Sequence, residues 1–73
     1  MIKDEAVASE INALMLDISA RLNESTRIVK EICDEEDFKI YRSAVGKIMM
    51  EILFEALNPL YAKYPSLKPP GFK

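Results

Sequence analysis

The apolar residues of this chain follow two helical stripes that point in different directions, and this change of phase constrains the fold most. At about 100° per residue, the apolar side chains between residues 3 and 33 fall within an arc of about 120°. They are Val7, Ile11, Leu14, Met15, Ile18, Leu22, Val29, Ile32 and Cys33. A second stripe comprises Phe38, Tyr41, Val45, Ile48, Met49, Ile52 and Ala56. On one straight helix the second stripe would point roughly 120° to 180° away from the first, so the chain must break between them.

The break is expected at the acidic run of residues 34–37, Asp-Glu-Glu-Asp. Acidic side chains favour the first turn of a helix because its free N–H groups and its dipole stabilise negative charge, and Asp34 is the predicted N-cap. The first 45 residues contain neither glycine nor proline. Residues 23–26 are polar, yet the stripe keeps its phase across them, which favours one continuous helix over residues 3–33. Two helices with so short a connection lie antiparallel, so the predicted fold is an all-α helical hairpin.

The C-terminal part is expected to depart from this regular pattern at its first proline. Pro59 cannot donate a backbone hydrogen bond, which predicts that the second helix ends near Leu57 or Asn58. A short extra turn capped by Asn58 would return three side chains toward the core: Leu60, Tyr61 and Tyr64. From Pro65 an extended proline-rich arm is predicted, with polyproline II conformation around residues 69–70. The resulting division is a hairpin domain over residues 1–64 and an arm over residues 65–73.

The size of the chain raises the question of what stabilises it. With 73 residues, a single cysteine and no histidine, it can form neither an intrachain disulfide nor the commonest zinc sites. A domain of this size buries only about 60% of the surface of its unfolded chain. Good packing and oligomerisation are the remaining sources of stability.

The second helix carries a further apolar seam on its opposite side, which predicts a partner. A hairpin offers this helix only one neighbour, so a second copy is the simplest cover and a dimeric four-helix bundle is expected. The predicted interface consists of Ile40, Gly46, Met50, Phe54, Leu57 and Tyr61. Two alternatives remain open: the arm covers the seam with Leu67 and Phe72, or an unrelated protein does. Gly46, with the small residues 43–44, is either a point of close helix approach or a tolerated glycine.

The distribution of charge argues for pairing of the two halves rather than for nucleic-acid binding. Residues 1–37 carry four basic and ten acidic groups, and residues 38–73 carry six basic and two acidic groups. We expect the halves to attract each other within the hairpin or across a dimer. The basic residues are spread along the second half and interrupted by Glu51 and Glu55, which is unlike a nucleic-acid patch. The longest apolar run has three residues, so no membrane span is predicted. The lack of a secretory signal pattern and the unpaired thiol favour the cytoplasm.

The residue types give little support to catalysis, and no catalytic, metal-binding or cofactor-binding residue is predicted. The acidic run lacks the ligand spacing of a calcium loop. Cys33 has no histidine to activate it and is expected to be a small buried apolar side chain. The leading hypothesis is a non-enzymatic homodimeric interaction module that acts as an adaptor, small chaperone or regulatory subunit. The alternative is a bundle that binds a small apolar ligand between chains, lined by Met15, Met49, Met50 and Phe54.

Overall fold

A computed structural model describes residues 2–69 and shows a two-helix hairpin extended by a short third helix. The elements are α1 (Glu5–Ile32), α2 (Glu35–Glu51), a π-helical segment (Ile52–Leu57), α3 (Asn58–Lys63) and a 3-10 turn (Pro65–Leu67). Over these residues the chain is all-helical, and the prediction of an all-α hairpin is confirmed. None of the described helices has both the length and the apolar character that crossing a bilayer requires.

The first helix is continuous, as predicted. Asp4 caps its start, because the Asp4 carboxylate accepts a hydrogen bond from the backbone N–H of Val7 at 3.1 Å. In the polar stretch the hydroxyl groups of Ser25 and Thr26 donate to the carbonyl oxygen of Leu22, at 2.7 and 3.0 Å. These side chains therefore find their partners in the preceding turn of the helix and do not interrupt its own hydrogen bonds.

The two long helices are joined by a tight, extended connection at Cys33 and Asp34. The Asp34 carboxylate accepts a hydrogen bond from the N–H of Asp37 at 2.8 Å, so the predicted N-cap is confirmed. The hydroxyl groups of Ser25 and Tyr41 lie 2.7 Å apart, and farther along the hairpin Tyr61 contacts Asn12. Residues later in the second half thus meet residues earlier in α1, which is the antiparallel arrangement.

The predicted boundary at Leu57 or Asn58 is present, since the π segment ends at Leu57 and the predicted short extra turn follows as α3 with Pro59 in its first turn. The helix does not stop there, however, because the backbone remains helical through Pro59 to Lys63. Asn58 has helical dihedral angles (φ −60°, ψ −46°), and its N–H bonds to the carbonyl of Leu53, five residues back. Asn58 is therefore inside the helical run and not its cap. In a regular α-helix the ring of Pro59 would clash with the carbonyl four residues earlier. We attribute the wider π turn to this ring, which gains room when the preceding turn opens.

The third helix returns the chain to the core. Leu60 and Tyr61 are buried, as predicted, and the half-buried Tyr64 places its hydroxyl 2.8 and 2.7 Å from the carbonyl oxygens of Ile2 and Lys3. The beginning of the predicted extended arm is instead a 3-10 turn, Pro65–Leu67, and extended backbone follows at Lys68. The expectations for Pro70 and Phe72 lie outside the described residues.

The buried core is concentrated where α3 meets the beginning of α1. Five described residues are buried: Ala8, Val45, Leu57, Leu60 and Tyr61. All except Val45 belong to this end, which we call the closed end; the opposite end, residues 28–41 around the connection, is the turn end. The molecule measures 45 × 20 × 16 Å, and its radius of gyration of 14.5 Å exceeds the about 11 Å of a compact domain of this length. The hairpin is therefore elongated and has a small core.

Candidate interaction surface

Large apolar side chains remain exposed over much of the described structure. Eight of them are at least 44% exposed: Val7, Leu14, Ile28, Ile32, Ile40, Ile48, Met50 and Phe54. Single exposed apolar residues are normal on protein surfaces, whereas contiguous patches mark binding surfaces. These eight residues therefore indicate a binding surface only where they are contiguous.

The four exposed apolar residues of α1 lie on one side of that helix. Val7, Leu14, Ile28 and Ile32 fall within an arc of about 60° at helical spacing. This arc is turned roughly 100° away from Ala8 and from Met15 and Leu22, seven and fourteen residues later, which are buried or half-buried. The apolar stripe of α1 is thus wider than α2 can cover, and one flank of it stays exposed.

The exposed flank of α1 continues onto α2. Ser25 is on the same side of α1 as Ile28 and Ile32, three and seven residues later, and Tyr41 is on the same side of α2 as Ile48. The 2.7 Å contact between the Ser25 and Tyr41 hydroxyl groups therefore brings these two sides together. We call the resulting surface the open face; it consists of Val7, Leu14, Ile28, Ile32 and Ile48, with Ile40 at its edge, two turns before Ile48.

An apolar groove lies on another side of the hairpin, between α1 and the π segment. It has a volume of about 250 Å³ and is lined by Leu16, Ser19, Met49, Met50, Ile52, Leu53 and Leu57. Met50 is 55% exposed, and Phe54, one turn farther along, is 56% exposed. The π turn contributes to one wall of the groove, in keeping with the frequent occurrence of π turns at functional sites.

The structure divides the predicted interface into two groups. Ile40, Gly46, Met50 and Phe54 are exposed, and a side chain added at Gly46 would meet nothing within 4 Å. Leu57 and Tyr61 are only 3% and 6% exposed, because the π turn changes the helical phase and directs both into the core. They cannot join the other residues in one seam without leaving the core. The interface itself stays a prediction.

Sequence reasoning missed the exposed flank of α1, since it assigned the whole stripe to the inside of the hairpin. Ile32 is 78% exposed, and Cys33, expected to be buried, is exposed as well. The signal was present in the width of the stripe. An arc of about 120° is more than one neighbouring helix covers at a narrow contact.

The described ion pairs all lie within single helices, and the described charged contact between the two long helices is that of the Lys30 ammonium, 5.8 Å from the ring centroid of Phe38. The ion pairs are Asp17–Arg21 at 3.1 Å, Arg27 with Glu24 and Glu31, and Lys39–Glu35 at 3.6 Å. The hydrogen bonds from Arg27 lower the pKa of the Glu24 carboxyl, and both acidic partners raise the pKa of Arg27. The expected attraction between the halves thus forms no ion pair between the helices among the described residues.

Asn12 joins three segments at the closed end and was not singled out in the sequence. Its carboxamide oxygen accepts a hydrogen bond from the Tyr61 hydroxyl at 2.5 Å, and its NH₂ group donates to the carbonyl of Leu67 at 3.3 Å. Burial raises the pKa of Tyr61 above its ordinary value of 10.0. This polar network fixes α3 and the 3-10 turn on α1, so the closed end is held by directed bonds as well as by apolar contact.

The chemistry of the surface is that of apolar contact bordered by charge. Cys33 is exposed at the turn end, and the Asp34 carboxylate is occupied as a helix cap. Among residues 2–69, the His, Cys, Asp and Glu side chains form no group of three or more suited to hold a metal ion. Comparisons with family models, with curated proteins and with solved structures give no match for this chain.

Proposed function

We propose that this chain is a non-enzymatic interaction module that works as a homodimer, in which the open faces of two hairpins pack together into a four-helix bundle. The observation that supports this proposal is the open face itself. It joins exposed apolar residues of α1 to those of α2 on one side of an elongated hairpin. Exposed Arg21, seven residues after Leu14 and seven before Ile28, lies in the same row and divides the apolar side into two parts. An antiparallel hairpin with an apolar side has the architecture of half of a four-helix bundle.

The exposed area of the chain agrees with the area that a dimer would bury. The chain exposes 5380 Å², whereas a compact monomer of 8.3 kDa exposes about 4600 Å². The excess is close to the roughly 800 Å² that each partner contributes to an interface of standard size. The elongated shape of the hairpin accounts for this excess, and burying about this area against a second copy would remove it.

The energetic gain is large relative to the stability of a small domain. Fully burying an exposed leucine or isoleucine side chain contributes about 1.5 to 3 kcal/mol before ordering costs. Leu14 and Ile28 are already about half-buried, so each gains about half of this on pairing, and Ile32 gains more. A single core of this size rarely supplies more than about 3 to 5 kcal/mol in total. Pairing would thus supply a substantial part of the stability of the folded chain.

The decisive measurement is the mass in solution, by sedimentation at micromolar concentration. We expect a dimer for the natural sequence and a monomer for Ile28→Glu, because the charge would be buried within the paired open faces. Phe54→Glu is the matched control: Phe54 is at least as exposed as Ile28 but outside the open face, so this variant should remain dimeric. Circular dichroism of both variants checks that the helices are retained.

Two outcomes would contradict the proposal in different ways. A natural sequence that stays monomeric at all accessible concentrations rules out the homodimer. A dimer that is lost with Phe54→Glu and kept with Ile28→Glu places the contact on the seam predicted from the sequence, and not on the open face.

Pairing through the open face leaves the groove between α1 and the π segment accessible. Its lining includes Met49 and Met50, and methionine side chains adapt to partners of varied shape. This arrangement supports the role of an adaptor, small chaperone or regulatory subunit, in which one surface pairs the copies and another receives a partner.

A second candidate function is the binding of a small apolar ligand, and the groove favours it. Its volume of about 250 Å³ is slightly below the usual range of ligand pockets, about 300 to 1,000 Å³, so the ligand would be small. Of the four lining residues expected from the sequence, Met49 and Met50 border the groove, whereas Met15 and Phe54 do not. Native mass spectrometry of freshly purified protein tests this function: added mass that Met50→Lys abolishes supports it, and bare protein contradicts it.

A further inference from the structure

The apolar groove between α1 and the π segment is within reach of the chain's own C-terminal residues. We propose that the ring of Phe72 occupies this groove in the same chain. Phe72 is the large apolar side chain of residues 70–73, Pro-Gly-Phe-Lys, which follow the part of the chain that the structure describes. The proposed homodimer concerns the open face, so the occupant of the groove does not depend on it.

The size and the lining of the groove suit one aromatic ring. Its volume is about 250 Å³, and a cavity of about 150 Å³ is already large enough to hold a benzene molecule. Apart from Ser19, the lining residues are apolar, which disfavours a charged occupant. Met49 and Met50 are two of them, and methionine sulfur makes favourable contacts with aromatic rings.

The chain leaves α3 on the same side of the hairpin as the groove. Asn12, Leu16 and Ser19 fall within an arc of about 60° of α1 at helical spacing. The Asn12 carboxamide donates a hydrogen bond to the carbonyl oxygen of Leu67 at 3.3 Å, and Leu16 and Ser19 line the groove. Leu67 therefore lies against the groove side of α1, one turn before the lining begins.

The direction of the chain after α3 is also toward the groove. The Tyr64 hydroxyl contacts the backbone of residues 2–3, before α1 begins, whereas Leu67 contacts Asn12, in the third turn of α1. Between these two contacts the chain reverses the direction of α3. Leu67 and Pro69 are half-buried, so the chain still lies against the hairpin at the last described residue.

The remaining distance is short enough for Phe72. It follows Leu67 by five residues, and five residues of extended chain span at most about 18 Å. Asn12, which holds Leu67, is seven residues from Ser19, the lining residue of α1 farthest from it. Seven residues of helix correspond to about 10.5 Å. The ring of Phe72 can therefore reach any part of the groove.

A groove filled from within the chain has a built-in competitor. A segment joined by a short flexible linker meets its site at an effective concentration on the order of millimolar. A foreign partner or a small apolar ligand must then displace Phe72, and its apparent affinity is reduced by the fraction of chains in which the groove is filled. This consequence rests on the proposed role of the groove, whereas the position of Phe72 can be measured without a ligand.

The test is nuclear magnetic resonance of ¹³C-labelled methionine methyl groups. Phe72→Leu keeps an apolar side chain and removes the aromatic ring, whose field shifts the signals of nearby methyl groups. We expect the signals of Met49 and Met50 to move by more than their linewidths, and the signal of Met15, which does not line the groove, to stay in place. Lys73→Ala is the matched control and should leave all three signals unchanged.

Two outcomes of this measurement overturn the proposal. If Phe72→Leu moves neither Met49 nor Met50, the groove is open to a second copy or to a foreign partner. The other outcome is found by mixing labelled Phe72→Leu with an excess of unlabelled natural protein. If the two signals return to their natural positions, the ring comes from another copy; if they stay, it comes from the same chain. Sedimentation decides the homodimer separately, since a monomer with the expected shifts leaves this placement intact.

The exclusion of other ligands is measured with the dye ANS, which binds exposed apolar surface. Phe72→Ser should increase its fluorescence several-fold relative to the natural sequence, because the groove is then open. Adding Met50→Lys to this variant should remove the increase, since Met50 lines the groove. Equal fluorescence of Phe72→Ser and the natural sequence would contradict the competition.

Discussion

The closed end and the turn end of the hairpin are built from similar amphipathic helices, yet they bury very different amounts of apolar surface. At the closed end, Leu57, Leu60 and Tyr61 are at most 6% exposed. At the turn end, Ile28, Ile32 and Ile40 are between 44% and 78% exposed. The difference lies in the number of layers: α3 packs as a third element at the closed end, while the turn end has only the two long helices.

This comparison shows what two helices can and cannot achieve. Each helix of a pair covers only one stripe of its neighbour, so an apolar arc that is wider than this stripe needs a third element. The closed end obtains one from its own chain, because the π turn lets the helix continue through Pro59 and places Leu60 against the core. The turn end has no such element, and on the proposed function a second copy would supply it.

The largest effect we expect is from Leu60→Ala at the closed end. Leu60 is 1% exposed, and removing a fully buried leucine costs about 2 to 5 kcal/mol through lost burial and the remaining cavity. This is comparable to the total stability of a small domain, so urea unfolding of the dilute protein should show a chain that is mostly unfolded.

The matched variant at the turn end is Ile32→Ala, which removes apolar volume from a residue that is 78% exposed. In the monomer the cost should be within about 0.5 kcal/mol, as for other surface substitutions. A larger loss should appear only at concentrations where the dimer forms. If Ile32→Ala destabilises the dilute protein as much as Leu60→Ala does, the contrast between the two ends is wrong.

The next effect concerns the start of α2. Asp34→Ala removes the acceptor for the N–H of Asp37 and should cost about 1 kcal/mol, within the usual range for N-caps. Asp34→Asn is the control, since asparagine caps about as well as aspartate. Hydrogen exchange should show faster exchange in the first turn of α2 for the alanine variant and unchanged exchange in α3. Equal loosening of both ends would mean that they do not behave as separate regions.

The contrast between the ends also shows which parts of the fold were predictable from the sequence. The change of phase between the stripes and the acidic run at residues 34–37 are local signals, and they correctly gave the hairpin and its cap. Local rules could not predict that the backbone stays helical through Pro59. This continuity depends on a widened π turn, which the packing of Leu60 and Tyr61 stabilises. The rotation of α1 relative to α2 is likewise set by contacts along the whole hairpin, so the sequence could not show which flank stays exposed.

A smaller effect is expected when the polar network of the closed end is opened. Tyr61→Phe keeps the ring in the core but removes the hydrogen bond to Asn12, which should cost about 0.5 to 1 kcal/mol in the free energy of unfolding. Tyr64→Phe, a half-buried tyrosine of the same end, is the control; it tests the contact with Ile2 and Lys3 instead. A gain of stability in Tyr61→Phe would show that apolar packing alone holds the closed end.

The smallest effect is a dependence of stability on alkaline pH that originates at the closed end. Burial raises the pKa of Tyr61 above 10.0 in the folded chain, because the phenolate would be poorly solvated there. The unfolded chain then releases this proton first, so the contribution of Tyr61 is complete below pH 10 and decreases as pH rises toward its folded pKa. Thermal unfolding between pH 8 and about 11 should show this decrease in the natural sequence and in Tyr64→Phe, and a flatter profile in Tyr61→Phe. An identical slope in all three would mean that titrating groups elsewhere determine the alkaline loss, and that the closed end does not exclude water from the Tyr61 hydroxyl.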